Sequence, residues 1–255
     1  MTAPTNHTEL KRIARIAGVL YLVLFFAGLY AEFFVRAEFI VAGDPAATAA
    51  NITGAEAVFR GGIVSDLVMI VSDVSLAILF YLLVKPVNQA LALLAAFFRL
   101  AQATILGLNL LNIFIALELL SGAPFLAGLG SGQAEALALV FLTAHGTGYA
   151  LGLLFFAVNL FILGYLIYKS GYLPRVLGIA LYVAAAGYLL DTVARTALTN
   201  YEQYAPIFDM AVFTPAVIAE LALILWLLIK GVSTPKAAAA EEPAAATPQP
   251  AFPGK

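Results

Sequence analysis

Six long, mostly apolar runs, at 13–34, 61–84, 91–117, 145–168, 174–194 and 209–229, limit what this chain can fold into. A helix rises about 1.5 Å per residue, so about 20 apolar residues cross a hydrocarbon core of about 30 Å. The runs are continuous rather than alternating and are rich in Leu and Ala, which argues against membrane strands. Charged residues make up only 11% of the chain, against about 25% in ordinary soluble proteins. Too little polar surface is available to cover a water-facing globule. The sequence therefore predicts an all-α fold, a polytopic transmembrane six-helix bundle.

The positions of Lys and Arg set the expected topology. Lys11, Arg12, Arg15, Lys85, Lys169, Arg175, Lys230, Lys236 and Lys255 fall at one set of helix ends, and the opposite loops hold only Arg36, Arg60 and Arg195. The positive-inside rule then places both termini in the cytoplasm. The first apolar run is longer than the 7–15 residues usual in a signal peptide and reads as a retained helix. Residues 1–12 read as a cytoplasmic N-terminal segment and 13–230 as the transmembrane domain. The Ala/Pro-rich stretch 231–255 reads as a disordered cytoplasmic tail. In the first external loop, Asp44 is placed to cap a short helix beginning at Pro45.

Within the third run, "FFRLAQATILGLNLLN" carries Arg99, Gln102, Asn109 and Asn112. At about 100° per residue these four fall within a sector of roughly 140°, a single polar stripe that must turn away from lipid. Counting from the basic helix ends puts Arg99 at ~12 Å, Asn159 at ~13 Å, Glu220 at ~15 Å, and Asp73 and Gln102 at ~16 Å. These five residues are the candidates for binding or proton relay, with an Arg99–Glu220–Asp73 cluster as the floor of a polar cavity. A second tier, near the far boundary, comprises Asp66, Asn109, Asn112, His145, Asp191 and Arg195. Asp191 and Arg195, like Glu32 and Arg36, have the i,i+4 spacing of an ion pair. Against a functional site stands a structural lock, in which Arg99 bridges carboxylates that would otherwise be unpaired. Gly148 and Gly152 read as a close helix contact, and Pro215 as a break in the helix that carries Glu220.

Several chemistries are excluded. The chain has no cysteine, hence no disulfide, thiolate chemistry or iron–sulfur ligation. Its two histidines, His7 and His145, cannot build a multi-histidine zinc site or a bis-histidine haem. No catalytic residue, metal or cofactor is assigned, and no nucleic-acid partner is expected.

The stretches "AGVLYL", "AEFFVR", "GDPAATAANI", "KPVN" leading into "AAFFRLAQATILGLNLLN", and "SGYLPRVLG" occur in order along the chain. Together they resemble the uncharacterised bacterial membrane-protein family known as domain of unknown function 4386, over roughly residues 12–231. The resemblance implies a multi-pass protein of the bacterial cytoplasmic (inner) membrane and brings no activity or catalytic residues with it.

The leading expectation is binding or translocation of a small polar solute or proton through the mid-membrane polar residues. The alternative is a non-transporting scaffold or accessory subunit, with a protein partner or a homo-oligomer, whose polar core fixes helix register. An intramembrane enzyme ranks third, because no nucleophile–base pair is evident.

Overall fold

A computed structural model describes residues 7–233. Helix α1, His7–Phe39, is followed by the short α2, Pro45–Gly54, and then by α3, Glu56–Val84, and α4, Gln89–Leu120. Helices α5, Ser131–Ser170, α6, Arg175–Ala197, and α7, Ala205–Ile229, complete the chain. Among the described residues there are no strands. All helices but α2 are long and apolar enough to cross a membrane, which makes six candidate spans. Helices α1, α4 and α5 extend beyond their apolar runs at both ends, α3 and α7 only at their starts and α6 only at its end, since hydropathy marks the lipid-buried portion and not the helix end. Helix α1 already starts at His7, inside the segment read as preceding the first span. The expected tail from residue 234 onward lies outside the described residues.

Local chemistry sets the boundaries. Asp44 caps α2, its Oδ1 accepting the Ala47 N–H at 2.9 Å, with Pro45 in the first turn, as the sequence indicates. Asn88 caps α4 through the Leu91 N–H at 3.0 Å. Gly171, at φ 73°, closes α5 in the left-handed conformation that glycine adopts without strain. The turn that follows is pinned across the bundle: the Tyr172 hydroxyl donates to the Leu83 carbonyl at 2.6 Å, and burial pushes this phenol above its ordinary range.

Each span packs against its neighbour in sequence, in the order α1, α3, α4, α5, α6, α7, and α7 returns to pack on α1. The six spans thus close into a ring. At the end carrying Lys85, Lys169 and Arg175, here called the basic end, the core draws on all six, including Tyr21, Leu76, Ala92, Leu160, Leu181 and Leu223. Toward the far end a second core, with Val35, Ile52, Phe59, Ile113 and Leu142, is built by α1 to α5 alone. Helix α5, at 40 residues, would measure ~60 Å, twice the hydrocarbon core. Its N-terminal half therefore extends well past α6, and α2 packs onto it there.

Glycines set the tightest crossings. A Cβ at Gly148 would collide with the Asn109 side chain, and one at Gly152 would lie 2.8 Å from Leu106, so this pair lets α5 approach α4. Between α5 and α6 the contact is backbone on backbone: a Cβ at Gly178 would lie 2.5 Å from the Gly164 carbonyl oxygen and 2.9 Å from the Tyr168 nitrogen. Neither atom can rotate away as a side chain could. Gly178→Ala is expected to cost about 1–3 kcal/mol, read as a lower thermal midpoint in detergent. Gly107→Ala, where nothing lies within 4 Å, is the control and should equal or exceed wild type. Equal midpoints for the two variants would mean that the helices separate at little cost.

Candidate functional site: buried charge inside the helical ring

Arg99 of α4 is fully buried, at 0% exposure, and its surroundings show how a guanidinium is accommodated in an apolar bundle. Its Nε lies 2.7 Å from Oδ1 of Asp73 on α3, itself buried. Its Nη1 donates to Oδ1 of Asn159 on α5 at 3.3 Å, and the Asn159 amide donates in turn to the Ala95 carbonyl at 2.8 Å, one turn back on α4. Three aromatic rings surround the guanidinium carbon: Tyr21 at 5.3 Å, Phe80 at 5.5 Å and Phe156 at 5.3 Å. Ring faces attract a cation, and desolvation strengthens the attraction. The crevice beside Arg99, lined among others by Ala77, Phe80 and Asn159, admits no water-sized sphere. The ion pair is enclosed in packed protein and is not the floor of an open cavity.

Glu220, on α7, departs from the expected three-membered cluster. It is buried at the same depth, but among the described residues no cation lies within ion-pair distance of it. Its Oε1 accepts the Tyr188 hydroxyl of α6 at 3.1 Å. The buried Tyr21 hydroxyl lies beside the same carboxylate, outside hydrogen-bonding geometry. Tyr21 therefore stands between the two centres, its ring on Arg99 and its hydroxyl toward Glu220. Gln102 is buried on α4 with its Oε1 unpartnered.

The far tier divides into separate groups. Asp66, on α3, is bonded by Nη1 of Arg36 at 2.6 Å, while Arg36 Nε holds Glu32 at 2.8 Å and the guanidinium lies 5.6 Å from the Tyr149 ring centre. Arg36 reaches inward from the last residue of a π-helical stretch, Tyr30–Arg36, in which the Ala37 N–H bonds back to the Glu32 carbonyl. This wider winding buries Val35 and Arg36 together. Asn109 donates to the His145 carbonyl at 2.8 Å, and Asn112 donates to Asn109 at 3.0 Å. These amides and the buried His145 tie α4 to α5. Asp191 accepts Arg195 at 2.8 Å and the Tyr201 hydroxyl at 2.5 Å, beneath the α6–α7 turn.

The sequence reading did not single out Tyr21, Tyr188 or Phe156, nor the Arg36–Asp66 pair. Aromatic residues are ordinary in membrane helices, and Arg36 had a sufficient partner in Glu32 one turn away. A weak signal did exist: Tyr21, Ala17 and Ala14 recur at helical spacing on α1, where only the tyrosine brings a hydroxyl to the buried face.

A closed ring of six membrane-length helices, each with polar or ionisable groups turned inward, defines a multi-pass helical membrane protein. The matching family model, Domain of unknown function (DUF4386), spans residues 16–231, and the chain belongs to that family. It is 31% identical over 179 residues to an uncharacterized protein of Archaeoglobus fulgidus, an alignment covering 68% of this chain and 89% of that protein. No solved structure matches it.

Proposed function

We propose that this protein moves protons across the bacterial cytoplasmic membrane, with both termini on the cytoplasmic side and Glu220 as the group that takes up and releases the proton. The observation that carries this reading is the partnering of the buried carboxylates. Asp66, Asp73 and Asp191 each have an arginine, whereas Glu220 has the hydroxyl of Tyr188, with that of Tyr21 nearby. An ionisable residue within a span is costly and is by default a functional candidate. A carboxylate beside phenols can exchange a proton with them by small rotations, whereas one locked to a guanidinium cannot. The packing around Arg99 leaves no room for a hydrated solute, which favours a proton over a larger cargo.

The test is proton flux in liposomes carrying a pH gradient and an internal pH-sensitive dye. Wild type should collapse the gradient faster than empty vesicles, Glu220→Gln should abolish the difference, and Tyr188→Phe should slow it about tenfold or more, as losses of a proton-transfer partner do. Wild-type flux no faster than empty vesicles, or unchanged in Glu220→Gln, sinks the proposal. One observation favours the scaffold reading: the close packing of Arg99 suits a fixed lock. That reading requires no flux in any variant and a protein that co-purifies with the wild type.

A further inference from the structure

We propose that the far end of the bundle carries a binding site for the headgroup of a zwitterionic aminophospholipid, between the start of α3 and the end of α4. The site is a pocket of about 280 Å³, near the lower limit of small-ligand sites, lined by Ile52, Arg60, Phe114, Leu117 and Glu118 among others. It is separate from the buried charge inside the ring and does not depend on proton movement.

Three observations point to this occupant. The first is depth. Arg60 lies ~36 Å along α3 from the end that holds Lys85, and Glu118 lies ~44 Å along α4 from the matching end. A bilayer is about 30 Å thick in its hydrocarbon core and about 40–45 Å with its headgroups. If the basic end lies at one headgroup layer, the pocket lies at the level of the other.

The second is charge. Glu56 accepts the Nε–H of Arg60 at 2.6 Å, and both side chains are about half exposed, which leaves the terminal guanidinium nitrogens to other partners. They present the forked geometry that suits a phosphate. Glu118 has no ion-pair partner among the described residues and offers a carboxylate to an ammonium group. Two carboxylates and one guanidinium leave the pocket with a net negative charge. A head carrying phosphate alone is therefore disfavoured, and one carrying phosphate and ammonium together is matched. A primary ammonium can donate hydrogen bonds to Glu118; a quaternary one cannot.

The third is what lies beneath. Phe114 is part of the pocket wall, and Leu111 and Leu108 continue from it at three-residue spacing toward the basic end, 44%, 56% and 63% exposed in that order. An acyl chain hanging from a head in the pocket would follow this ridge.

The experiment is native mass spectrometry of the full chain in detergent, with phosphatidylethanolamine, phosphatidylglycerol and phosphatidylcholine added in turn, and soluble glycerophosphoethanolamine as competitor. Phosphatidylethanolamine should be retained up to about fivefold better than either other lipid, the ratio that one favourable exposed charge contact sets. Glu118→Gln should remove that preference, and Arg60→Gln should weaken all three lipids. Both side chains are exposed, so the fold should survive either change. Lipid retention unaltered by both substitutions overturns the proposal, as does equal or better binding of phosphatidylglycerol. Displacement by the soluble head at the same concentration as the lipid would also overturn it, because the site would then take a free aminophosphate.

Discussion

Arg99→Leu is expected to lower the thermal midpoint of the detergent-solubilised protein by roughly 6–20 °C. The substitution leaves the Asp73 carboxylate, 3% exposed, buried without the cation that lay 2.7 Å away. Breaking one side of a buried pair costs about 3–5 kcal/mol, and in a chain of this size each kcal/mol moves the midpoint by about 2–4 °C. Asp73→Leu should do similar damage from the other side, by stranding a guanidinium that keeps only Asn159 and three ring faces. The double variant, Arg99→Leu with Asp73→Leu, is the discriminating measurement. Removing both charges removes both desolvation costs, so the double variant should be more stable than either single one. Strictly additive losses would show that the two residues act independently, contrary to the geometry.

The second large effect is expected at Arg36, where one guanidinium serves a buried acid and an exposed one. Asp66 is 3% exposed and Glu32 is 51% exposed, at 2.6 and 2.8 Å from the same side chain. Arg36→Met should cost about 3–5 kcal/mol, because Asp66 loses its cation inside the bundle. Glu32→Gln should cost no more than about 1 kcal/mol, the usual worth of an exposed pair. Thermal midpoints of the two variants, measured at low and high salt, separate the contributions. The Glu32 effect should fade with salt while the Arg36 effect persists. If both variants lose equally, the burial of Asp66 is not what makes the pair matter.

The membrane-spanning architecture could be read from the chain because the signal is one-dimensional: a long apolar run needs no partner to declare itself. The depth of the polar residues was legible for the same reason. A count along each helix placed Arg99, Asp73, Asn159 and Glu220 at one level. Depth does not fix direction around the axis, however. Asp73 and Asn159 face Arg99, whereas Glu220 faces Tyr188 and the hydroxyl of Tyr21. The far tier was harder still. Asn109 bonds the His145 carbonyl, but Asp66 and Asp191 at the same level pair with different arginines, and the residue that reaches Asp66 comes from a stretch whose winding is not the 100° per residue assumed in the count. The aromatic residues around Arg99 were illegible because nothing distinguishes Phe80 or Phe156 from lipid-facing phenylalanines until their neighbours are known.

The wide turn at Tyr30–Arg36 bears on how related chains should be compared. A π turn takes up one residue more than an α-turn before the same face returns. The segment behaves as a single insertion absorbed within the helix, with the chain beyond it still facing the bundle. A relative that is one residue shorter here, wound as ordinary α-helix, would keep its arginine on the side of the third-helix aspartate. An alignment that slides the arginine by one position would instead pair it with a residue facing outward. The gap belongs inside the helix, between Ala31 and Arg36, and a first span one residue shorter in a related chain would then mark an ordinary α winding and not a lost ion pair.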